Sequence, residues 1–538
     1  MVSEYPSPPR TSRAAEDTGR ARVTSPAGAA LPAPVTPITG RDGRPGRPGT
    51  PAVRGRPGGA AGAPLPGVHQ PVGRLTYSRF GGHHTGGGEI PTPLGILGGG
   101  ASGLSLALLT DREFVLIERN PRPGGHAVST SVDGWVFDRG PHIMFSRSDL
   151  HLECMVSSLG GNVHRCRRNN KVALAGALAR YPIENDLAAL PLPLRADAVI
   201  SLMRAHDRHA DPANLAEWFG ANFGDVLVSA YFRPYNEKVW NVPLETLSMA
   251  WADRIPRPPL EDVIRGALGE VSEGYLHQLY YSYPLHGGYS AIMDAWARGI
   301  AAERLVLDAT ITQVRPTPDG VTVRTQDREW QFQQVVSTLP LHDLVRIVPD
   351  VPTSVVASVS RLVVNPMLVI TLGFRGEDPN QFTAVYIPDD DYAVNRVSYP
   401  AVFSPHNAPP GCFSVQAEIT TAPGAEMLER SDETVVDHVL SGLRKRSLIP
   451  DGAELAFTRV DRYPYAYVVY TQGYERDLQV ALDWFASQRI LLHGRFGSHQ
   501  YLNVDGCLGS SIALARKLGA PLPDGDVRAR FANLAMIG

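Results

Sequence analysis

The alternation of apolar and polar positions becomes periodic only at Leu94. Leu94–Leu97 is a short apolar run ending in Gly98-Gly99-Gly100, and Ala101–Leu109 continues as a short helix. Glu113–Ile117 (EFVLI) reads as a second strand, apolar on both faces as in the middle of a parallel sheet. Trp135–Phe137 is a further short strand. Residues 150–270 are mainly helical by pattern, with amphipathic runs at Leu187–Met203 and Leu215–Leu227. The period then drops to two. Leu305–Leu307, Ala309–Val314, Val321–Arg324 and Trp330–Val336 predict strands, with a turn at Asp319-Gly320. A β-rich block from Met367 to about Tyr470 includes Met367–Phe374, Thr383–Ile387 and Phe413–Ile419. The last strand is Ile490–His493, and a helix follows at about Ser510–Leu518.

Composition separates the first 90 residues from the rest. They hold 14 Pro, 17 Gly and 11 Arg, with no Lys and five acids. Such a segment buries too little apolar surface to offset its ordering entropy, so disorder is expected there. Arg54-Gly55-Arg56-Pro57 has the form of a minor-groove arm, but a low-complexity tail is the favoured reading, because short motifs of this kind recur by chance. The chain as a whole carries -3, so the remainder is acidic, which argues against a nucleic-acid partner. No apolar run is long enough to span a membrane, and no secretory signal is evident. The four cysteines form no CxxC pair, so neither a disulfide framework nor a metal site is expected. The expected location is cytoplasmic.

The chemistry starts at Gly98-x-Gly100-x-x-Gly103, set between a strand and a helix. The first glycine permits a tight turn, the second lets a pyrophosphate approach the backbone, and the third lets helix and strand pack closely. Ala101 and Ser102 open the helix, whose free N–H groups and positive dipole end suit phosphates. Glu118, with Arg119 after it, ends the next strand, where an acid holds ribose hydroxyls. An acid there favours FAD or NAD over NADP.

Arg122-Pro123-Gly124-Gly125-His126 and Asp138-Arg139-Gly140-Pro141-His142 follow. Together with the glycine loop they resemble the FAD family of amine oxidases, protoporphyrinogen oxidases and UDP-galactopyranose mutases. Later segments extend the resemblance over nearly everything after Leu94. They are Tyr181-Pro182-Ile183-Glu184-Asn185, Phe232–Trp240 (FRPYNEKVW), Tyr283–Gly288, Val336–Pro340, Tyr386-Ile387-Pro388, Arg396, Phe403–Asn407, Tyr465-Ala466-Tyr467 and Gly494–Gly497. The resemblance is closest to the mutase-like bacterial branch. It implies an α/β fold: a discontinuous Rossmann-type FAD-binding domain with a helical insertion and a mixed β-sheet substrate domain. The expected division is 91–150, 271–345 and 485–538 for FAD, 151–270 for the helical substrate domain, and 346–484 for the β-sheet substrate domain.

The resemblance also assigns roles. It implies FAD contacts from Gly124, Gly125, His126, Gly288, Val314, Arg495, Asn503 and Asp505, beside the glycine loop and Glu118. It implies catalytic roles for His142, Tyr386 and Arg396, and substrate contacts from Tyr181, Arg233, Tyr386, Arg396 and Tyr467. By themselves, Arg233 and Arg396 read as ordinary ion-pair residues, and His142 as a core histidine. Two reaction classes share the scaffold. One is pyranose/furanose isomerisation of a nucleotide-linked or other polar sugar through reduced flavin, with NAD(P)H as external reductant. The other is hydride transfer from a small-molecule substrate to flavin, as in amine or protoporphyrinogen oxidases. The chain departs from the mutase pattern at Pro141, Ala384 and Asp461, the last with Arg462 beside it.

Overall fold

In the computed structural model, Thr92–Leu97 pairs in parallel with Phe114–Ile117 on one side and Glu329–Ser337 on the other. Leu94, Ile96, Leu97, Leu116 and Ile117 are fully buried, which explains why both strands are apolar on both faces. The structure describes residues 92–206, 211–255, 257–270, 279–378 and 380–537. The segment expected to be disordered, 1–90, and its Arg-Gly-Arg motif lie outside the described residues. Among the described residues, no helix is long and apolar enough to cross a membrane.

The first sheet runs Ile311–Thr317, Gly320–Thr325, Glu329–Ser337, Thr92–Leu97, Phe114–Ile117, Leu305–Val306, with Ile490–Leu492 also pairing in parallel with Glu329–Ser337. Its strands therefore come from three distant stretches of chain. The hairpin predicted here is present with its turn one residue earlier than expected, at Pro318-Asp319, since Gly320 already pairs with Thr317. The helices Ala101–Leu109 and Val504–Lys517 pack together, and the Ser105 hydroxyl donates to Ser511 Oγ at 2.8 Å. The second helix begins earlier than the pattern predicts, because Gly506 and Gly509 interrupt the apolar signal in its first turns.

The second sheet runs Glu454–Val469, Val363–Arg375, Cys412–Thr420, Arg396–Ser398, Ala384–Tyr386, Asn170–Leu174, Ala177–Arg180. The last two strands correct the expectation that 150–270 is mainly helical, as does His164–Arg167, which pairs with Tyr280–Tyr283. Ala175 and Gly176, both at positive φ, form the two-residue turn between them. Ala-Gly is a weak hairpin signal beside Asn-Gly, so the pattern conceals it. The predicted β block also contains a helix, Asp432–Lys445, packed on the apolar face of the sheet through Val435, Val439 and Leu443. Four helices, Leu192–His206, Leu215–Leu227, Arg233–Trp240 and Leu260–Ala267, surround an aromatic core that includes Trp218, Phe219, Phe223 and Phe232.

Along Cys412–Thr420, Ser414, Gln416, Glu418 and Thr420 alternate with Val415, Ala417 and Ile419. Alternation ordinarily marks one wet face and one dry one. Here both faces are buried, and the polar one meets the end of the separate hairpin Ser129–Val132/Trp135–Asp138. Gln416 Nε2 donates to the Asp138 carbonyl at 2.9 Å and to Thr371 Oγ1 at 3.1 Å.

Candidate active site

The parallel strands of the first sheet end at one edge, and a cavity of about 900 Å³ opens there. Gly98, Glu118 and Thr338, each directly after such a strand, line it, as does Gly494 shortly after the fourth. This is the crevice at the carboxyl ends of strands where α/β sheets bind their ligands.

Gly98 has φ of 94°, and a Cβ on it would lie 2.4 Å from Thr338 Oγ1. The Thr338 hydroxyl donates to the carbonyls of Leu97 and Gly98, tying the turn to the neighbouring strand. A Cβ on Gly103 would fall 2.0 Å from the Gly98 oxygen, so only glycine lets the helix sit this close. A Cβ on Gly100 would meet no protein atom nearer than Gly125 Cα at 3.8 Å; the space beside it is cavity. No side chain caps the helix Ala101–Leu109, so its first N–H groups are left for an anion. Asn503 likewise begins Val504–Lys517 without a side-chain cap and lines the same cavity. Glu118 is buried. One carboxylate oxygen accepts from the Gly99 N–H at 2.7 Å and the other from the Asn120 N–H at 2.9 Å.

Gly124 and Gly125 lie against the glycine loop, with the Gly124 N–H donating to Gly99 O at 2.7 Å. His126 sits edge-on to Tyr463 and Phe496. Burial, reinforced by Arg139 and Arg495, lowers its pKa to about 3, so it is neutral near pH 7. His142 is neutral too, its pKa lowered by burial to about 4. Its Nδ1–H donates to the Gly140 carbonyl at 2.8 Å, which leaves the Nε2 lone pair free to accept a proton. Asp138 pins this segment from below. Its carboxylate accepts from Ser129 Oγ, Tyr283 Oη and the Tyr289 N–H, and burial raises its pKa to about 6.

The second sheet supplies the far wall. Arg396 and Glu418 form two parallel hydrogen bonds of 2.8 Å each, and the Glu418 side chain is fully buried. Burial opposes the Arg396 charge, but Glu418 outweighs it and holds the guanidinium charged well above its ordinary range. Tyr467 Oη lies 3.4 Å from Arg396 Nη2. Tyr386 Oη accepts from Asn170 Nδ2 at 3.2 Å. Arg495 donates to the carbonyls of Leu502 and Ala466 and lies over the Tyr501 ring at 4.2 Å.

Gly98, Gly100, Ala101, Ser102, Glu118, Arg119, Gly124, Gly125, His126, His142, Tyr386, Arg396, Tyr467, Arg495 and Asn503 thus come together around one cavity. Six candidates do not line it: Gly103, which packs against the Gly98 carbonyl behind the loop, and five more. Val314 is fully buried in the core, and Ala309, Thr310 and Ile311 just before it take its place. Gly288 packs on Ser129, a Cβ there lying 2.4 Å from Ser129 Oγ, and so supports Asp138 instead. Asp505 accepts from Ser146 Oγ at 2.8 Å. Tyr181 stands behind Tyr386, with ring centroids 4.9 Å apart. Arg233 is paired with Glu237 and Glu245 at the surface, the ordinary ion pair that its residue type alone suggests. Sequence reading missed Glu418, Arg168, Asn170 and Ser398, all of which line the cavity. The alternating polar face of Cys412–Thr420 was the available signal for Glu418.

The residues present suit FAD: an uncapped helix start beside Gly100, an acid at the second strand, and two segments that continue along the cavity. The solved structure of reduced UDP-galactopyranose mutase is similar, with a TM-score of 0.75 and 23% identity over 82% of this chain and 99% of that one. Cyclohexylamine oxidase from Brevibacterium oxydans IH-35A has a TM-score of 0.58 and 15% identity over 80% of this chain and 100% of that one. Coproporphyrinogen III oxidase of Bacillus subtilis (strain 168) is 19% identical over 463 residues, 78% of this chain and 96% of that protein. The sequence profile of the flavin containing amine oxidoreductases matches residues 101–518, so the chain belongs to that family and is an FAD-dependent enzyme.

Proposed function

We propose that the enzyme acts on a polar, hydroxyl-bearing small molecule, a nucleotide-linked sugar, in a mutase-like isomerisation that runs through reduced flavin with NAD(P)H as the external reductant. The observation that carries this reading is the far wall of the cavity. Asn170, Thr383, Tyr386, Arg396, Ser398, Glu418 and Tyr467 line it beside Met367, Ala384 and Phe403, so it offers more hydrogen-bonding groups than the apolar slot of a porphyrin or a fatty chain would need. Flavin, when bound, supplies reversible electron-pair chemistry. The chain's own residues bind, orient and move protons. Gly98–Ser102 and Asn503 hold the pyrophosphate region, and Glu118 the ribose. His142 Nε2 accepts a proton, and Tyr386, Tyr467 and the Arg396–Glu418 pair orient substrate hydroxyls. The similarity to a UDP-galactopyranose mutase structure agrees with this reading.

A second reading, oxidation of a C–N or C–C bond, has its own support. Glu418 already matches the charge of Arg396, so that arginine offers no net cation to a diphosphate. One experiment separates the two. Oxidised and reduced protein are mixed with a panel of nucleotide sugars and followed by NMR, while oxygen uptake is recorded with amines and porphyrinogens. New sugar isomers formed only by the reduced protein support the first reading. Oxygen uptake without isomers replaces it with the second.

A further inference from the structure

We infer that Arg168, with Asn170 and Ser398 beside it, forms a subsite for the carboxylate of a hydroxylated acid such as a uronic-acid sugar. The inference deepens the polar-substrate reading and rests on it for the remainder of the molecule bound.

Arg168 precedes the strand Asn170–Leu174, and its backbone N–H is fixed by the Leu279 carbonyl at 2.8 Å. Its guanidinium lies over the Phe145 ring, 4.9 Å from the centroid, and both residues line the cavity. Nε and Nη2 are sealed from solvent and have no partner among the described residues. A buried guanidinium is ordinarily matched, as Arg396 is by Glu418 and Arg495 by two carbonyls. Nε–H and Nη2–H form one edge of the guanidinium, two parallel donors that fit the two oxygens of a carboxylate. The unpaired fork therefore lacks an anion, and the cavity that Arg168 lines is where one arrives. Binding swings the side chain off the Phe145 face to meet it.

The neighbouring row says what else the ligand carries. Asn170 is in register with Ala384, and Ala384 with Ser398, so the three share one face across three strands. Asn170 Oδ1 and Ser398 Oγ are also buried and without a partner among the described residues. Ala384, between them, presents only a methyl group and leaves the middle of the row open. Two unpaired oxygens beside a fork suit hydroxyl groups attached to an acid. The lone pairs of Asn170 Oδ1 repel any anion, so the carboxylate sits on the fork itself and hydroxyl groups meet Asn170.

The test uses the full-length protein loaded with FAD. UDP-glucuronate, UDP-glucose, free glucuronate, free glucose and inorganic phosphate are titrated, with flavin absorbance and calorimetry as readouts. Each acid is expected to bind about tenfold or more tightly than its neutral counterpart. Arg168→Gln should abolish that preference, and Arg168→Lys should keep part of it. Equal binding of UDP-glucuronate and UDP-glucose overturns the subsite and leaves the nucleotide-sugar reading standing. Arg168-dependent binding of free glucuronate, with neither nucleotide sugar bound, supports the subsite and overturns the nucleotide-linked reading. Phosphate that displaces glucuronate through Arg168 overturns the carboxylate assignment. No binding of any ligand at millimolar concentration overturns both. Should Arg168→Gln fail to load FAD, the comparison of acid with neutral ligand on wild type and Arg168→Lys decides.

Discussion

Arg396 and Glu418 stand directly opposite each other on neighbouring antiparallel strands, and the geometry of that pair governs what substitution does at the cavity wall. Removing one partner strands the other. Arg396→Ala leaves a fully buried carboxylate uncompensated, a loss of about 3–5 kcal/mol when a buried pair is broken. Melting temperature should fall markedly. The double variant Arg396→Met with Glu418→Leu should recover most of the loss, because apolar groups of similar volume replace a buried pair at little cost. It should not recover binding of a polar substrate. Recovered stability with unchanged substrate affinity would show that the pair only packs. The arginine was legible in the sequence by resemblance. Its partner was not, since the two are brought together by strand pairing across 22 residues and no local pattern marks that register.

The strand–glycine–helix element from Thr92 to Leu109 makes separate contributions to cofactor and to fold, and two substitutions distinguish them. Gly100→Val places its side chain where only cavity lies, so the protein should purify folded but colourless, with melting temperature close to that of the wild-type apoprotein. Gly103→Ala drives a methyl group into the Gly98 carbonyl, so the helix must move off the strand. Overpacking of this kind costs about 1–3 kcal/mol, so Gly103→Ala should lower melting temperature as well as flavin content. Flavin absorbance per protein and a thermal melt of each variant check both outcomes. This element was fully legible, because the turn, the helix start and the acid follow each other within one βα unit. Cys412–Thr420 was legible as a strand, but its polar face reads as solvent-facing until the hairpin ending at Asp138 is seen to meet it. Sequence alternation reports two different faces; it does not report what covers each one.

Buried titratable groups set the pH response of the whole molecule. His493 and His499 are buried, and desolvation lowers each to about 4 from the ordinary value of 6.5. The unfolded chain takes up their protons at higher pH than the folded one does. Their contribution to stability is therefore complete above about pH 6.5 and is lost as pH falls towards 4. Glu184 has the opposite sign. Burial raises its pKa to about 7, so the folded state holds a proton that the unfolded chain has released, and stability is lost as pH rises through that value. His499→Asn should flatten the fall in melting temperature below about pH 6.5, asparagine being tolerant of the positive φ at this position. Glu184→Gln should stabilise the protein more at about pH 8 than at about pH 5. Melts across that range check both, and parallel curves for variant and wild type would show that other groups dominate.

The sequence by itself determined the features that lie within one short stretch. These are the glycine loop and its acid, and the apolar run of each strand in the first sheet. All depend on contacts between residues near in sequence, where spacing and geometry are linked. Tertiary structure alone decided which arginines are free. Arg233 is spent on Glu237 and Glu245 and Arg396 on Glu418, whereas Nε and Nη2 of Arg168 meet no hydrogen-bond partner among the described residues. A guanidinium is the same residue type in each case. Whether it is neutralised depends on which distant carboxylate the packed sheets and helices bring within hydrogen-bond reach, and that is a property of the assembled fold.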